Sequence, residues 1–272
     1  MSSGKVAAPV VPDKVVLVEE PWPHVRRIRL HRPDKRNALN QAMLRQLYEA
    51  LRGAADTDDV RAVVLTGSGS TFCAGADIGE FRESLHGRVP DVYEDGRWLV
   101  RLFQLGEAYE KPLIAAVNGA ALGGGVGLVA LCHFAVAADT AILGATELRI
   151  GMFPMVIFPA LARALGERRA LELSLTARTF GADEALAIGL VQKVVPAAEL
   201  DEAVGELART VAGWSPIAVR IGMRGVRTTR GLAPVDAYEQ LHALRQVLQQ
   251  TDDLHEGTSA FFEKRTPNWT GR

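Results

Sequence analysis

Apolar and polar positions alternate along this chain at two different periods. Residues 62–66 and 113–117 are short apolar runs with no polar face, which suits strands covered on both sides. Residues 15–19 and 25–30 read as a hairpin around Pro21, Trp22 and Pro23, and residues 134–138, 141–143 and 191–195 as further strands. Between them the spacing becomes helical. Met43, Leu44, Leu47 and Leu51 recur on one face of a helix predicted over 41–55, with Asn40 placed to cap it. A helix is expected from Ile78 onward, and Trp98, Leu99, Leu102 and Phe103 form the stripe of the next. Helices follow at 161–165 and 168–175, and a short one between Gly181 and Gly189. Residues 86–95, with Gly87, Pro90 and Gly96 nearby, read as a mobile loop. From 200 to 264 the pattern is helical throughout. These periods predict a loose tail over 1–14, an α/β core with parallel strands over 15–199, and a helical capping or oligomerising region over 200–272.

Two glycine-bearing loops interrupt the apolar pattern. Residues 67–77 are one of them. The other follows the strand at 113–117, where Asn118 and Gly119 turn the chain and Gly123, Gly124 and Gly125 open an apolar segment. Three glycines at a helix start leave N–H groups without a Cβ in the way, and those N–H groups have no partner inside the helix. Such donors suit a developing oxyanion. Close helix packing favours glycine as well, and this stretch alone does not separate the two. If both loops leave their strands at one edge of the core, one N–H from each can converge on a single oxygen.

Composition narrows the classes. The 272 residues carry a net charge of −1, against a nucleic-acid-binding surface as the main function. Two cysteines, Cys73 and Cys132, form neither a disulfide framework nor a metal-ligand pattern, which suits a reducing cytoplasm. No apolar run is long enough to span a bilayer, and the first residues lack the pattern of a secretion signal. The glycine-rich helix start also falls short of a dinucleotide fingerprint, because leucine stands where its third glycine belongs.

Five motifs in order resemble the crotonase, or enoyl-CoA hydratase/isomerase, superfamily. They are His31-Arg-Pro-Asp-Lys-Arg-Asn-Ala-Leu39, Phe72-Cys-Ala-Gly-Ala-Asp77, Ala115-Ala-Val-Asn-Gly119, Leu122-Gly-Gly-Gly125 and Glu256-Gly-Thr-Ser-Ala-Phe-Phe-Glu-Lys-Arg265. The resemblance runs from about Val15 to Arg265. It implies a spiral of ββα units, a helical C-terminal region that builds a homotrimer or a dimer of trimers, and an acyl-CoA thioester substrate of the kind met in fatty acid metabolism. No metal or redox cofactor is implied, coenzyme A being part of the substrate. By the same resemblance the N–H groups of Ala76 and Gly124 form the oxyanion hole. Arg36 and Ala38, with Ala76, Asp77 and Ile78, touch coenzyme A, while Phe261 and Lys264 reach the nucleotide of a neighbouring subunit. A solvated turn would equally account for Arg36, and an ordinary amphipathic helix for Phe261 and Lys264.

Many hydratases of this family use two glutamates. Glu147 matches one, and its apolar surroundings favour a proton-transfer role through a raised pKa, though a structural hydrogen-bonding glutamate fits the same pattern. The other position is Gly127. A single carboxylate suffices for double-bond isomerisation and weakens the case for hydration. Gly127 would leave room for a bulky acyl group lined by Met152, Phe153, Met155 and Phe158. Glu80, Glu83, His86 and Asp95 are the remaining candidates for the lost carboxylate's role, and His133 stands where many relatives carry aspartate. The expected function is therefore enoyl-CoA chemistry through an enolate. The alternatives are an isomerase with a single glutamate base and a degraded member that binds acyl-CoA without turnover.

Overall fold

A computed structural model describes residues 14–272, so the tail expected over 1–14 lies, apart from Lys14, outside the described residues. The strands are β1 Val16–Trp22, β2 Val25–Leu30, β3 Ala62–Gly67, β4 Thr71–Cys73, β5 Leu113–Val117, β6 Ala120–Leu122, β7 Phe134–Ala138, β8 Ile142–Gly144, β9 Phe180–Gly181 and β10 Lys193–Val195. The helices are α1 Gln41–Ala55, α2 Ile78–Ser84, α3 Val89–Glu107, α4 Gly124–Leu131, α5 Phe158–Leu165, α6 Glu167–Thr176, α7 Ala182–Ala187, α8 Leu200–Ala212, α9 Pro216–Thr228, α10 Pro234–Leu248 and α11 Asp252–Glu263.

The larger sheet has the order β1-β2-β3-β5-β7-β10, parallel except for the β1–β2 hairpin. Its central strands are apolar without interruption because both faces are covered. Val63, Leu65, Leu113, Ala115 and Val117 point into the main core with α1, α3 and α4. The alternate residues Ala62, Val64, Ile114 and Ala116 meet Leu200, Val204, Ala208 and Ala212 of α8 on the other side. Thus the change to an all-helical pattern near residue 200 begins with a helix that seals the sheet. Asn40 caps α1 through the Met43 N–H at 2.9 Å, a contact typically contributing ~1 kcal/mol.

A second, smaller sheet places β4, β6 and β8 parallel, with β9 antiparallel at its edge. The chain visits the large sheet, the small sheet and then a helix, as in β3–β4–α2, β5–β6–α4 and β7–β8–α5. This is the expected ββα spiral. The loop expected over 86–95 is instead helical from Val89. Pro90 falls in the first turn of α3, where its missing N–H costs no hydrogen bond. Among the described residues no helix is long and apolar enough to cross a membrane.

His133 answers the question of its missing aspartate. Its Nδ1 accepts the Leu113 N–H at 3.0 Å, which places the ring proton on Nε2. Burial, and then the nearby Arg163 and Arg230 guanidiniums, push its pKa down to about 4 from 6.5. The unfolded chain therefore takes up a proton near pH 6.5 that the folded chain refuses until about pH 4. The stabilisation is complete above the first value and is lost as pH falls toward the second, by up to ~3 kcal/mol. Unfolding free energy against pH, compared between wild type and His133→Asn, is expected to show a shallower acid loss in the variant. Parallel curves would refute this.

Candidate active site

The three parallel strands of the small sheet each deliver one group from their C-terminal ends. Cys73 of β4 pairs with Ala121 of β6, and Leu122 of β6 with Gly144 of β8. Ala76 lies just beyond β4, Gly124 just beyond β6, and Glu147 just beyond β8 at the start of a 3-10 turn, Glu147–Ile150.

Ala76 is aimed by a single parallel bridge to Leu39. The Leu39 N–H donates to Gly75 O at 2.7 Å, and the Asp77 N–H donates to Leu39 O at 3.0 Å. In a parallel ladder, bonds from the flanking residues leave the central residue's own N–H pointing the other way. The exposed Ala76 N–H therefore faces outward from the bridge. Gly124 is the first residue of α4, so its N–H lacks an intrahelical acceptor.

The glycine triplet divides its labour. Gly123 has φ +52° and ψ −124°, a conformation for glycine alone, and a Cβ there would lie 3.3 Å from Glu147 Oε1. A Cβ on Gly125 would lie 2.3 Å from Cys73 O, so that glycine serves packing. The Gly124 N–H is left free at the helix start, so the packing reading falls on Gly125 and the donor reading on Gly124. Gly75 completes the convergence: its φ is +95°, and a Cβ there would sit 2.9 Å from Leu122 O and 3.6 Å from the Gly123 Cα. The two glycine loops thus touch each other directly, and the second touches the Glu147 carboxyl.

Glu147 Oε2 is buried and has no hydrogen-bond partner among the described residues. Burial pushes the carboxyl above its ordinary pKa. A carboxyl with one buried, unpartnered oxygen and a raised pKa has the character of a proton-transfer group. Cys73, fully buried against Gly125, is a different case: burial pushes the thiol up to about 12, and it remains protonated packing.

Two asparagines hold the loops together. Buried Asn37, with φ +55°, donates through Nδ2 to Ser68 O and Thr71 O at 2.9 and 2.6 Å and accepts the Arg32 N–H at 3.0 Å. Asn118 accepts the Gly67 N–H at 3.1 Å and donates to Gly69 O at 2.8 Å. Their type marked turns in the sequence, but nothing there marked their partners.

The remaining residues sort differently. Asp77 caps α2 and pairs with Arg32 at 2.9 Å. Burial alone would raise the Asp77 carboxyl, but hydrogen bonds from Arg32 and the Glu80 and Gly79 N–H groups hold it below the usual range. Ile78 is exposed at the first turn of α2, next to Asp77. Arg36 is exposed in a left-handed turn, open to an approaching phosphate. Ala38 is buried, its N–H bound to Lys35 O and its carbonyl to Arg32 Nη1 at 2.8 Å. Phe261 and Lys264 stand exposed at the end of α11, and no hydrogen bond, ion pair or ring contact among the described residues joins them to this cluster. Glu80 is structural: its Oε2 accepts the Gln41 N–H at 2.8 Å. Glu83 and His86 are exposed, and Asp95 lies 4.0 Å from Arg45.

The space expected at Gly127 is not there. A Cβ on Gly127 would lie 2.4 Å from Ile157 Cγ2, 2.6 Å from Ile157 Cβ and 3.0 Å from Phe103 Cζ. Of the residues expected to line that space, Met152 and Met155 are exposed, and Phe153 and Phe158 pack on each other. Ile157 entered too late in the chain, and Phe103 too early, for local reading to see that they fill the slot.

Known proteins share this fold. The family profile described as "Enoyl-CoA hydratase/isomerase" matches residues 23–272. The 2,3-dehydroadipyl-CoA hydratase of Escherichia coli (strain K12) is 37% identical over 244 residues, covering 89% of this chain and 94% of that protein. The mevalonyl-coenzyme A hydratase of Aspergillus fumigatus is 34% identical over 260 residues, covering 93% and 94%. A solved enoyl-CoA hydratase from Bacillus anthracis superposes with a TM-score of 0.89 at 34% identity, over 95% of this chain and all of that one (100%). With its spiral of ββα units and a matching profile over nearly its whole length, the chain belongs to the enoyl-CoA hydratase/isomerase family.

Proposed function

We propose that this enzyme acts on enoyl-CoA thioesters through an enolate whose oxygen is held by the N–H groups of Ala76 and Gly124, with Glu147 moving the proton. The observation that carries the reading is the meeting of Gly75, Gly123 and the Glu147 carboxyl at the ends of three adjacent strands. Removing a proton from C2 moves charge onto the thioester oxygen. Two fixed main-chain donors stabilise that charge, and losing one in comparable sites costs ~3 kcal/mol. The raised pKa of Glu147 makes its carboxylate the stronger base for taking the proton, which the carboxylic acid then returns. Arg36, Ala38, Asp77 and Ile78 belong, on this proposal, to the coenzyme A side. Phe261 and Lys264, exposed on α11, would serve a neighbouring subunit of a homotrimer or a dimer of trimers.

The filled slot at Gly127 favours isomerisation over hydration. Isomerisation moves one proton from C2 of a 3-enoyl chain to C4, and one carboxyl within reach of both carbons suffices. Hydration with one carboxyl forgoes a second group to hold and activate water, and Ile157 and Phe103 fill the space that a side chain at position 127 would need. The test is turnover of 2-enoyl- and 3-enoyl-CoA thioesters in deuterated water. Double-bond migration with deuterium at C2 or C4 is the expected result. Binding without turnover or exchange on any thioester would support the degraded, binding-only alternative.

A further inference from the structure

Beside the site, α3, the segment leading into α5, and α9 line an open cavity of about 520 Å³. Its body is apolar, built from Val100, Phe103, Met155, Val156, Pro159 and Ala160, while Glu107, Arg227 and Arg230 stand at its rim. An apolar body with a few convergent charges is how small-molecule sites are usually made.

The charge at this rim is unbalanced. Glu110 is held in a fork by Arg224, at 2.8 Å from both Nε and Nη2. Arg227 reaches the same carboxylate only at 3.4 Å, and its Nε–H is buried with no acceptor among the described residues. Glu107 is shared too: it accepts from Arg163 Nε at 3.0 Å and from Arg230 Nη1 at 2.9 Å. Arg163, Arg224, Arg227 and Arg230 thus divide two carboxylates among four guanidiniums. Of these groups Glu107, Arg227 and Arg230 line the cavity, so its wall carries two guanidiniums against one carboxylate, with a buried donor left over, which suits an anion.

The cavity also adjoins the chemistry. Phe103 lines it and meets the Gly127 position, one turn of α4 beyond Gly124. Ile157 closes the same slot. The ring of Phe103 borders both the Gly127 position and the cavity, so an acyl chain running past Phe103 rather than through the filled slot reaches it.

We infer, building on the enoyl-CoA reading above, that the cavity receives the far end of the acyl group and that Arg227 and Arg230 select a chain ending in a carboxylate. Arg227 lies in the last turn of α9 and Arg230 just beyond its end, and both line the cavity. Their planar forks match a carboxylate and gain nothing from a methyl end.

The test compares two enoyl-CoA thioesters of equal length, one ending in methyl and one in carboxylate. Wild type is expected to favour the carboxylate by about tenfold or more in kcat/KM. In the double variant Arg227→Met/Arg230→Met that ratio falls to near one, through a rise in KM for the carboxylate chain. Arg227→Lys, which keeps the charge without the fork, is expected to give an intermediate ratio. Equal kcat/KM values in wild type, or a ratio unchanged in the double variant, would overturn the inference. Calorimetric binding of the two corresponding saturated acyl-CoA thioesters needs no turnover. It decides the matter even if the enolate reading fails: a carboxylate preference lost in the double variant supports the site, and equal Kd values refute it.

Discussion

Glu147→Gln is expected to lower kcat on the preferred enoyl-CoA thioester by about 10²–10⁴-fold. The amide keeps the shape of the carboxyl against Gly123 but can neither take nor return a proton. On the proposed mechanism main-chain donors hold the thioester oxygen, so KM should change much less than kcat. Deuterium exchange at C2 should fall with turnover, which separates lost proton transfer from lost water addition. Stability gives an independent reading. Because burial raises the Glu147 pKa, the folded state favours the protonated carboxyl, and folding loses free energy as pH rises through that raised value. The glutamine variant carries no such penalty, and at neutral pH it should be at least as stable as wild type. Activity within tenfold of wild type would remove Glu147 from the mechanism.

Gly127→Glu is the second large effect, and its direction runs against simple family logic. Restoring a carboxylate at this position should not create a better hydratase. The new Cβ would lie 2.6 Å from the Ile157 Cβ, an atom that side-chain rotation does not move. The glutamate carboxylate beyond it would enter a buried space with no partner in place. Overpacking costs ~1–3 kcal/mol and an unpaired buried charge adds several more. Thermal or urea unfolding is therefore expected to show a loss of at least ~3 kcal/mol, with no gain in hydration. Ile157→Ala retains the offending Cβ and should not rescue the variant, whereas Ile157→Gly should do so in part. An unfolding midpoint equal to that of wild type would show that the slot is open after all.

What the sequence disclosed and what it concealed follow from the range of the interactions involved. The strands at 113–117 and 134–138 were readable because two covered faces leave no polar alternation. α1 was readable because its cap and its stripe are local. Much of the small sheet was not: β4, β6 and β9 are two or three residues long, too short to display a period, and Thr71-Phe-Cys73 sits inside what reads as a polar glycine loop. Pro90 and Gly96 suggested a loop where the first turn of α3 tolerates one and open space surrounds the other. For the site, glycine type and spacing pointed to the two loops, and the motif match supplied Ala76, Gly124 and Glu147 as candidates. The contents of the Gly127 slot depend on side chains brought from α3 and from the approach to α5, contacts that no local pattern records.

The bridge between Leu39 and Ala76 and the helix start at Gly124 have a consequence for how this protein tolerates change. Half of the proposed catalytic machinery is peptide bond. An alanine scan passes silently over Ala76, and truncating neighbouring side chains leaves both donors in place. Genetic diversity at such a site accumulates around the donors without touching them, so specificity can drift while the carbonyl-polarising apparatus persists. Only edits to the main chain itself, such as proline or an ester in place of the amide, would expose its share of the chemistry.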